Sequence, residues 1–332
     1  MLDDLDAAAR VVYDAMPATP QQRWPLLDAR CGTAVWVKQE NQTPVGAFKV
    51  RGGLVYFDHL RSADANVGGV VAATRGNHGQ SVAFAARRYA IPAAVVVPRG
   101  NSPAKNRAMC ALGAELIESG HDFQDALEAA STVAADRRWH MVPSFDRQLV
   151  RGVASYALEL FRAVPGIDVL YVPIGLGSGI CGAIAARDAI GLATRIVGVV
   201  SSAAPAYARS LELGHAVSHD ASTRIADGMA CRTPVPEALS LIRAGAERVV
   251  EVTDDEIEDA VRALFEDTHN VVEGAGAAAL AAVTKDRGRL RGRTVAIVVS
   301  GGNIDSAPFS RILAGDRSSD PVIPGQLRRA AT

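Results

Sequence analysis

Short runs of valine and isoleucine alternate along this chain with longer alanine-rich amphipathic stretches. That alternation restricts the fold more than any other feature. Strands made of near-continuous apolar runs must be covered on both faces, and helical crossovers between parallel strands supply the cover. The strand-like runs are Ala34–Lys38, Gly68–Ala73, Ala93–Val97, Glu115–Ile117, Val169–Ile174, Arg195–Val200 and Thr294–Val299. Helical periodicity follows many of them, as in Gly79–Tyr89, Ala104–Leu112, Phe123–Arg137 and Asp254–Asp267. The expected class is α/β, with mostly parallel twisted sheets and helices on both faces. Residues 68–146 form a β-α-β-α-β-α pattern, expected as a smaller unit inserted in a larger one built from 1–67 and 147–332. No repeat or low-complexity linker interrupts the pattern. The polar tail from Gly315 is expected to fray, and no room is expected for a C-terminal regulatory domain.

Composition excludes several function classes. The net charge is −1 over 332 residues, without a long basic run, so the electrostatic footprint of a nucleic-acid binder is missing. Cys31, Cys110, Cys181 and Cys231 are widely spaced with no CxxC pair, which suits buried thiols in a reducing compartment. The acidic N-terminus lacks the basic start of a signal peptide. The apolar stretch Val169–Ala186 reaches the lower limit of about 18 residues for a membrane span, but Pro173 and glycines break it into strand, loop and helix. A cytoplasmic protein without a membrane partner is expected.

Only four of the 35 basic residues are lysines: Lys38, Lys49, Lys105 and Lys285. Where charge alone is needed, this chain uses arginine. A retained lysine is a candidate for chemistry that a permanently protonated guanidinium cannot do, such as attack on a carbonyl to form a Schiff base. Lys49 lies in the run from Asn41 to Gly53. The other three read as ordinary: Lys38 on a strand, Lys105 and Lys285 in polar surroundings.

A second motif narrows the chemistry. Strand Val169–Ile174 runs into Gly175-Leu-Gly-Ser-Gly179 and then into a helix start. Glycines allow close backbone approach, and free N–H groups at a helix N-terminus bind phosphate. Gly177 to Gly182 also fits G-x-G-x-x-G, but the next strand ends in Ser201-Ser202 with no ribose-binding carboxylate, which disfavours a dinucleotide. A Schiff-base lysine with a phosphate cradle points to pyridoxal 5'-phosphate.

With these motifs in order, the chain resembles the serine/threonine dehydratase family of fold-type II pyridoxal-phosphate enzymes. The Lys49 block resembles the family's S-F-K-[IL]-R-G-A, and Thr74-Arg-Gly-Asn-His-Gly-Gln80 its S-x-G-N-H-x-Q. Gly175–Gly179 resembles its G-G-G-G loop. Ala226-Asp-Gly228, Glu273-Gly-Ala-Gly-Ala277 and Ser300-Gly-Gly-Asn303 match the remaining motifs. The resemblance implies two open, mostly parallel sheets, a homodimer, and β-elimination of water from L-threonine or L-serine to a 2-oxo acid and ammonia.

It also implies residue roles. Lys49 would hold the cofactor and act as base at the substrate Cα. Phe48 would lie against the pyridine ring, Asn77 would bond the ring 3′-oxygen, and Ser300 would face the pyridine nitrogen. Gly175, Leu176, Gly177, Ser178 and Gly179 would hold the phosphate, with Glu273 near the cofactor. Thr74, Arg75, Gly76, Asn77 and His78 would bind the substrate, with the backbone of His78 mattering more than its ring.

Three departures from the family pattern qualify this. Arg75 stands where serine racemases of the family carry a catalytic serine, and a guanidinium cannot shuttle that proton, so racemisation is disfavoured. Val200 and Ala206 replace two carboxylates of the family's divalent-metal segment, so no metal site is expected. Arg232 adds a second arginine that could join Arg75 on an acidic substrate such as 3-hydroxyaspartate; phenylserine is a further alternative. A β-replacement enzyme of the cysteine synthase type is disfavoured by Arg51-Gly52-Gly53.

Overall fold

In the computed structural model, which describes residues 1–316, the valine and isoleucine runs form two separate sheets. The tail expected to fray from Gly315 lies, beyond Asp316, outside the described residues. The strands are β1 (Gln21–Gln22), β2 (Ala34–Gln39), β3 (Val70–Ala73), β4 (Ala93–Val97), β5 (Glu115–Glu118), β6 (His140–Met141), β7 (Val169–Pro173), β8 (Arg195–Ser201), β9 (Arg248–Val252) and β10 (Thr294–Val299). The helices are α1 (Leu2–Tyr13), α2 (Pro25–Cys31), α3 (Lys49–Ala63), α4 (Asn77–Arg88), α5 (Pro103–Ala111), α6 (Phe123–Arg137), α7 (Arg147–Ala163), α8 (Ser178–Ile190), α9 (Ala206–Leu213), α10 (Pro236–Gly245), α11 (Asp254–Thr268), α12 (Gly274–Lys285) and α13 (Ser306–Leu313).

The larger sheet has the order β1-β2-β10-β7-β8-β9, and all its pairs are parallel except β1 with β2. The smaller sheet, β5-β4-β3-β6, is wholly parallel and lies within residues 70–141. Helix α3 and the start of α7 also contribute to its packing, since Tyr56, Phe57 and Leu149 share a core with Val70, Val95 and Val142. Strand β9 was not expected from the sequence. It is the edge of its sheet and carries Arg248 and Glu251, so it lacks a continuous apolar run.

Burial explains the remaining architecture. Helix α12 is buried along Gly274–Val283, and its alanines let it pack closely in the core of the larger sheet with Val197, Val199, Val295 and Ile297. Burying each valine or leucine of such a core contributes about 1.5–3 kcal/mol. In a parallel sheet, loops that bind ligands gather at the carboxyl ends of the strands, where the chain order reverses. Here β10 returns between β2 and β7. The segments after β2, β10 and β7 carry Lys49, Ser300 and the glycine loop, respectively. The strand topology thus collects motifs that lie far apart in the chain.

Candidate active site

The Lys49 and Ser300 segments are joined directly. Phe48 donates its backbone N–H to the Ser300 carbonyl at 3.0 Å, Gly302 donates to the Gly46 carbonyl at 2.9 Å, and Ala47 pairs antiparallel with Gly301. Lys49 begins helix α3 immediately afterwards. Its side chain is largely buried, and among the described residues it has no hydrogen bond or carboxylate partner; Nζ lies 5.3 Å from the Phe48 ring centre. Burial lowers its pKa to about 8. A substantial neutral fraction is therefore present near physiological pH, as a nucleophile and base requires.

The glycine loop lies beside Phe48, whose ring is 3.6 Å from where a side chain on Gly179 would begin. Two glycines in the loop are obligatory. Gly177 has φ +100, and a Cβ on Gly175 would approach the Gly228 carbonyl to 2.1 Å. The second contact also seats the Ala226-Asp-Gly228 motif against the loop. Among the described residues, no protein acceptor faces the N–H groups of Gly175, Leu176, Gly177, Ser178, Gly179 or Ile180; the first intrahelical bond of α8 runs from Cys181 to Gly177. Six consecutive free donors at a helix N-terminus form a site that fits a phosphate group. With the unpaired Lys49 amine nearby, these residues fit pyridoxal phosphate.

The Thr74–Gln80 segment follows β3. Helix α4 begins at Asn77, two residues before the expected start, because the Thr74 hydroxyl accepts the N–H groups of Gly76 at 2.9 Å and Gly79 at 3.3 Å and closes the first turn. Asn77 and His78 keep backbone N–H groups without protein acceptors among the described residues, suited to a carboxylate. The His78 ring is buried with Nε2 unpartnered; burial first, and then Lys49, push its pKa down to about 3, so the imidazole is neutral. One turn on, Ser81 donates to the Lys49 carbonyl at 2.7 Å and ties α4 to α3.

Asn77 Nδ2 donates to Glu273 Oε1 at 2.6 Å, and Asn77 Oδ1 accepts from Asn303 Nδ2 at 2.9 Å. Glu273 is buried, and burial raises its pKa despite the opposing pull of Lys105 and Asn77. Ser300 is also buried, and its hydroxyl has no protein partner among the described residues. Val200 lies within β8 and Ala206 opens α9; among the described residues no cluster of three His, Cys, Asp or Glu side chains could hold a metal.

The two arginines diverge. Arg75 is partly buried and makes no hydrogen bond or ion pair among the described residues. Arg232 is 64% exposed and lies 3.7 Å from Asp220. Both still act on Asp122, whose carboxyl is held below its usual range first by the Asp125 N–H and to a smaller extent by Arg232 and Arg75.

Two lysines that read as ordinary in the sequence are enclosed by partners, Lys38 fully and Lys105 in large part. Lys38 is fully enclosed and donates to the Thr19 carbonyl at 2.7 Å and to Glu159. Lys105, 11% exposed, reaches from α5 to Asp227 at 3.6 Å and Glu273 at 3.8 Å. The signal for both was present: they belong to a set of four lysines in an arginine-rich chain.

Residues 12–301 match the family described as pyridoxal-phosphate dependent enzyme. The chain belongs to this family. The enzyme is 34% identical over 313 residues to an L-threonine ammonia-lyase of Thermotoga maritima, covering 94% of this chain and 78% of that protein. A solved T.th. threonine deaminase superposes with a TM-score of 0.85 at 32% identity, covering 92% of the enzyme and 98% of that chain. Maize serine racemase superposes with a TM-score of 0.87 at 28% identity, covering 94% and 96%. Fold class, family and cofactor therefore agree with the sequence reading. Among the described residues, no helix is long and apolar enough to cross a membrane.

Proposed function

We propose that the enzyme removes water from a β-hydroxy amino acid, L-threonine or L-serine, and releases a 2-oxo acid and ammonia. The observation that carries this reading is the Lys49 amine, desolvated and unpaired, held next to a cradle of free backbone donors. The activities named for its relatives point the same way. When bound, pyridoxal phosphate supplies an aldehyde for the substrate amine and a conjugated ring that draws electrons from Cα.

The protein's part follows from its own groups. The N–H groups of residues 175–180 bind the phosphate, and those of Asn77 and His78 hold the substrate carboxylate. Phe48 would pack against the cofactor ring. Lys49, neutral in part near pH 8, takes the Cα proton. The buried Ser300 hydroxyl would be the group that meets the pyridine nitrogen of a bound cofactor. A hydroxyl would not keep that nitrogen protonated as a carboxylate would, which would favour elimination of the β-hydroxyl. Arg75, permanently protonated, would be unable to take up and return the Cα proton that racemisation requires, which disfavours that reaction. The proposed working state is a cytoplasmic homodimer, with residues 68–146 as its smaller unit.

One observation favours a second reading. Arg75 is a partly buried guanidinium without a protein partner among the described residues, beside the carboxylate-binding turn, and an acidic substrate such as 3-hydroxyaspartate would pair with it. Comparing kcat/KM for threonine, serine, 3-hydroxyaspartate and phenylserine, by release of 2-oxo acid and ammonia, tests both. Threonine or serine leading the panel, with that order kept in Arg75→Ala, supports the first reading and removes the second. A panel with no 2-oxo acid from any member overturns both.

A further inference from the structure

We propose that Lys105 is a positioning residue for the reaction: through Glu273 it fixes the side-chain amide of Asn77 against the bound cofactor. This rests on the reading of Asn77 as the donor to the ring oxygen.

The orientation of Asn77 is set by a chain of groups with fixed polarity. The Val45 carbonyl can only accept, and it accepts from Asn303 Nδ2 at 2.8 Å. Asn303 therefore presents the same nitrogen to Asn77 Oδ1 at 2.9 Å. Asn77 must then turn Nδ2 toward Glu273 Oε1, 2.6 Å away. One Nδ2 hydrogen remains for a ligand. Glu273 is held against this amide by a glycine: a Cβ on Gly301 would lie 2.4 Å from Oε1 and 3.2 Å from Asn77 Nδ2. The second oxygen of Glu273 faces Lys105 Nζ at 3.8 Å.

Lys105 comes from the smaller sheet's helix α5, whereas Glu273 and Asp227 come from segments of the larger sheet's side. The ion pair therefore spans the two sheet units at the site. Near its N-terminus, α5 is also held by Asp305, which accepts the Ala104 N–H at 3.3 Å. Lys105, Asp227 and Glu273, together with Arg224 and Asp305, line a cavity of about 80 Å³.

The charge on Glu273 is contested. Burial pushes its pKa up, and Asp227 pushes the same way; Lys105 and the Asn77 amide oppose them. Burial acts against the Lys105 charge as well, but Glu273, Asp227 and Asp305 outweigh it and keep the ammonium protonated. Removing Lys105 deletes the one cation acting on Glu273 among the described residues and leaves burial and Asp227 unopposed except by an amide. The Glu273 pKa is then pushed further up, and the protonated form, a weaker acceptor for Asn77, gains over the carboxylate. Raising the pH ionises it again, so the defect is largest at low pH and fades as pH rises.

The test compares holoenzyme variants by the pH titration of the bound cofactor's visible absorbance, with kcat/KM measured alongside. Lys105→Met should lower kcat/KM roughly ten- to a hundredfold near pH 7, as misplacement of a reacting group does. It should also show a new absorbance transition absent from the parent, with recovery at high pH. Lys105→Arg, which keeps the charge, should behave like the parent. Lys105→Met combined with Glu273→Gln should lose the new transition, because nothing remains to titrate. If Lys105→Met follows the parent curve while Asn77→Ala changes it, the role of Lys105 is wrong and that of Asn77 stands. If Asn77→Ala leaves the absorbance unchanged, both are wrong. A defect in Lys105→Met that is equal at every pH would mark Lys105 as merely structural.

Discussion

Phe48 and Ser300 lie near opposite ends of the chain, yet the backbone N–H of one donates to the carbonyl of the other at 3.0 Å. This bond aligns the start of α3, and so Lys49, with the end of β10. Because it uses backbone atoms alone, Ser300→Ala should keep it and lose only the hydroxyl. The expected outcome is cofactor binding within about twofold of the parent and kcat lower by roughly fivefold, the worth of one net hydrogen bond of about 1 kcal/mol. Cofactor titration and steady-state kinetics on the same preparation check this.

Arg51, two residues after Lys49, is fully buried with Glu40 at 2.7 Å, Glu159 at 2.6 Å and the Ser155 hydroxyl at 2.9 Å. Lys38 completes a set of two cations and two carboxylates that braces α3 against α7 and β2. Arg51→Met leaves a carboxylate uncompensated and should cost about 3–5 kcal/mol in stability, read from urea unfolding. A loss below about 1 kcal/mol, the range of an exposed ion pair, would mean that the network does not brace the helix.

The glycine loop makes a sharper steric prediction. Gly177→Ala forces a side chain onto a backbone at φ +100, with its Cβ 2.8 Å from that of Ala238. Strain of about 1–3 kcal/mol at this point should appear mainly as weaker retention of pyridoxal phosphate on dialysis. Gly175→Ala should have at least as large an effect, since its Cβ would meet backbone, the Gly228 carbonyl.

Four lysines make a direct titration practical. In apoenzyme labelled at lysine Cε, the resonance lost in Lys49→Arg should titrate near pH 8, with the neutral amine gaining as pH rises. Lys38 should also titrate below its ordinary range through burial, whereas Lys105 should titrate above it. A Lys49 midpoint at about 10 or higher, the ordinary lysine range, would remove its advantage as a base near neutral pH.

What could be read from the sequence was what is contiguous in it. Strand β7, the Gly175–Gly179 loop and the start of α8 form one segment, so the cradle was legible without any partner. The alternating apolar runs likewise pointed to the parallel sheets. Lys105 was not legible, because Glu273 is remote in the chain and only the fold brings the two within 3.8 Å. For Arg51 the family motif marked the position, but burial among Glu40, Glu159 and Ser155 depends on the packing of α3 on α7. The early start of α4 depended on a single hydroxyl, that of Thr74, which spacing alone does not reveal. Strand β9 escaped because an edge strand can carry charge.

The proposed role of the Lys49 amine is to bind the cofactor and move the Cα proton. Its most direct test is purified Lys49→Ala, reconstituted with pyridoxal phosphate, treated with borohydride, analysed by mass spectrometry and assayed for 2-oxo acid from threonine and serine. No covalently retained cofactor is expected, with turnover reduced by roughly a thousandfold or more. Cofactor still linked to the protein after reduction, or turnover of β-hydroxy amino acids near the parent rate, would contradict this role.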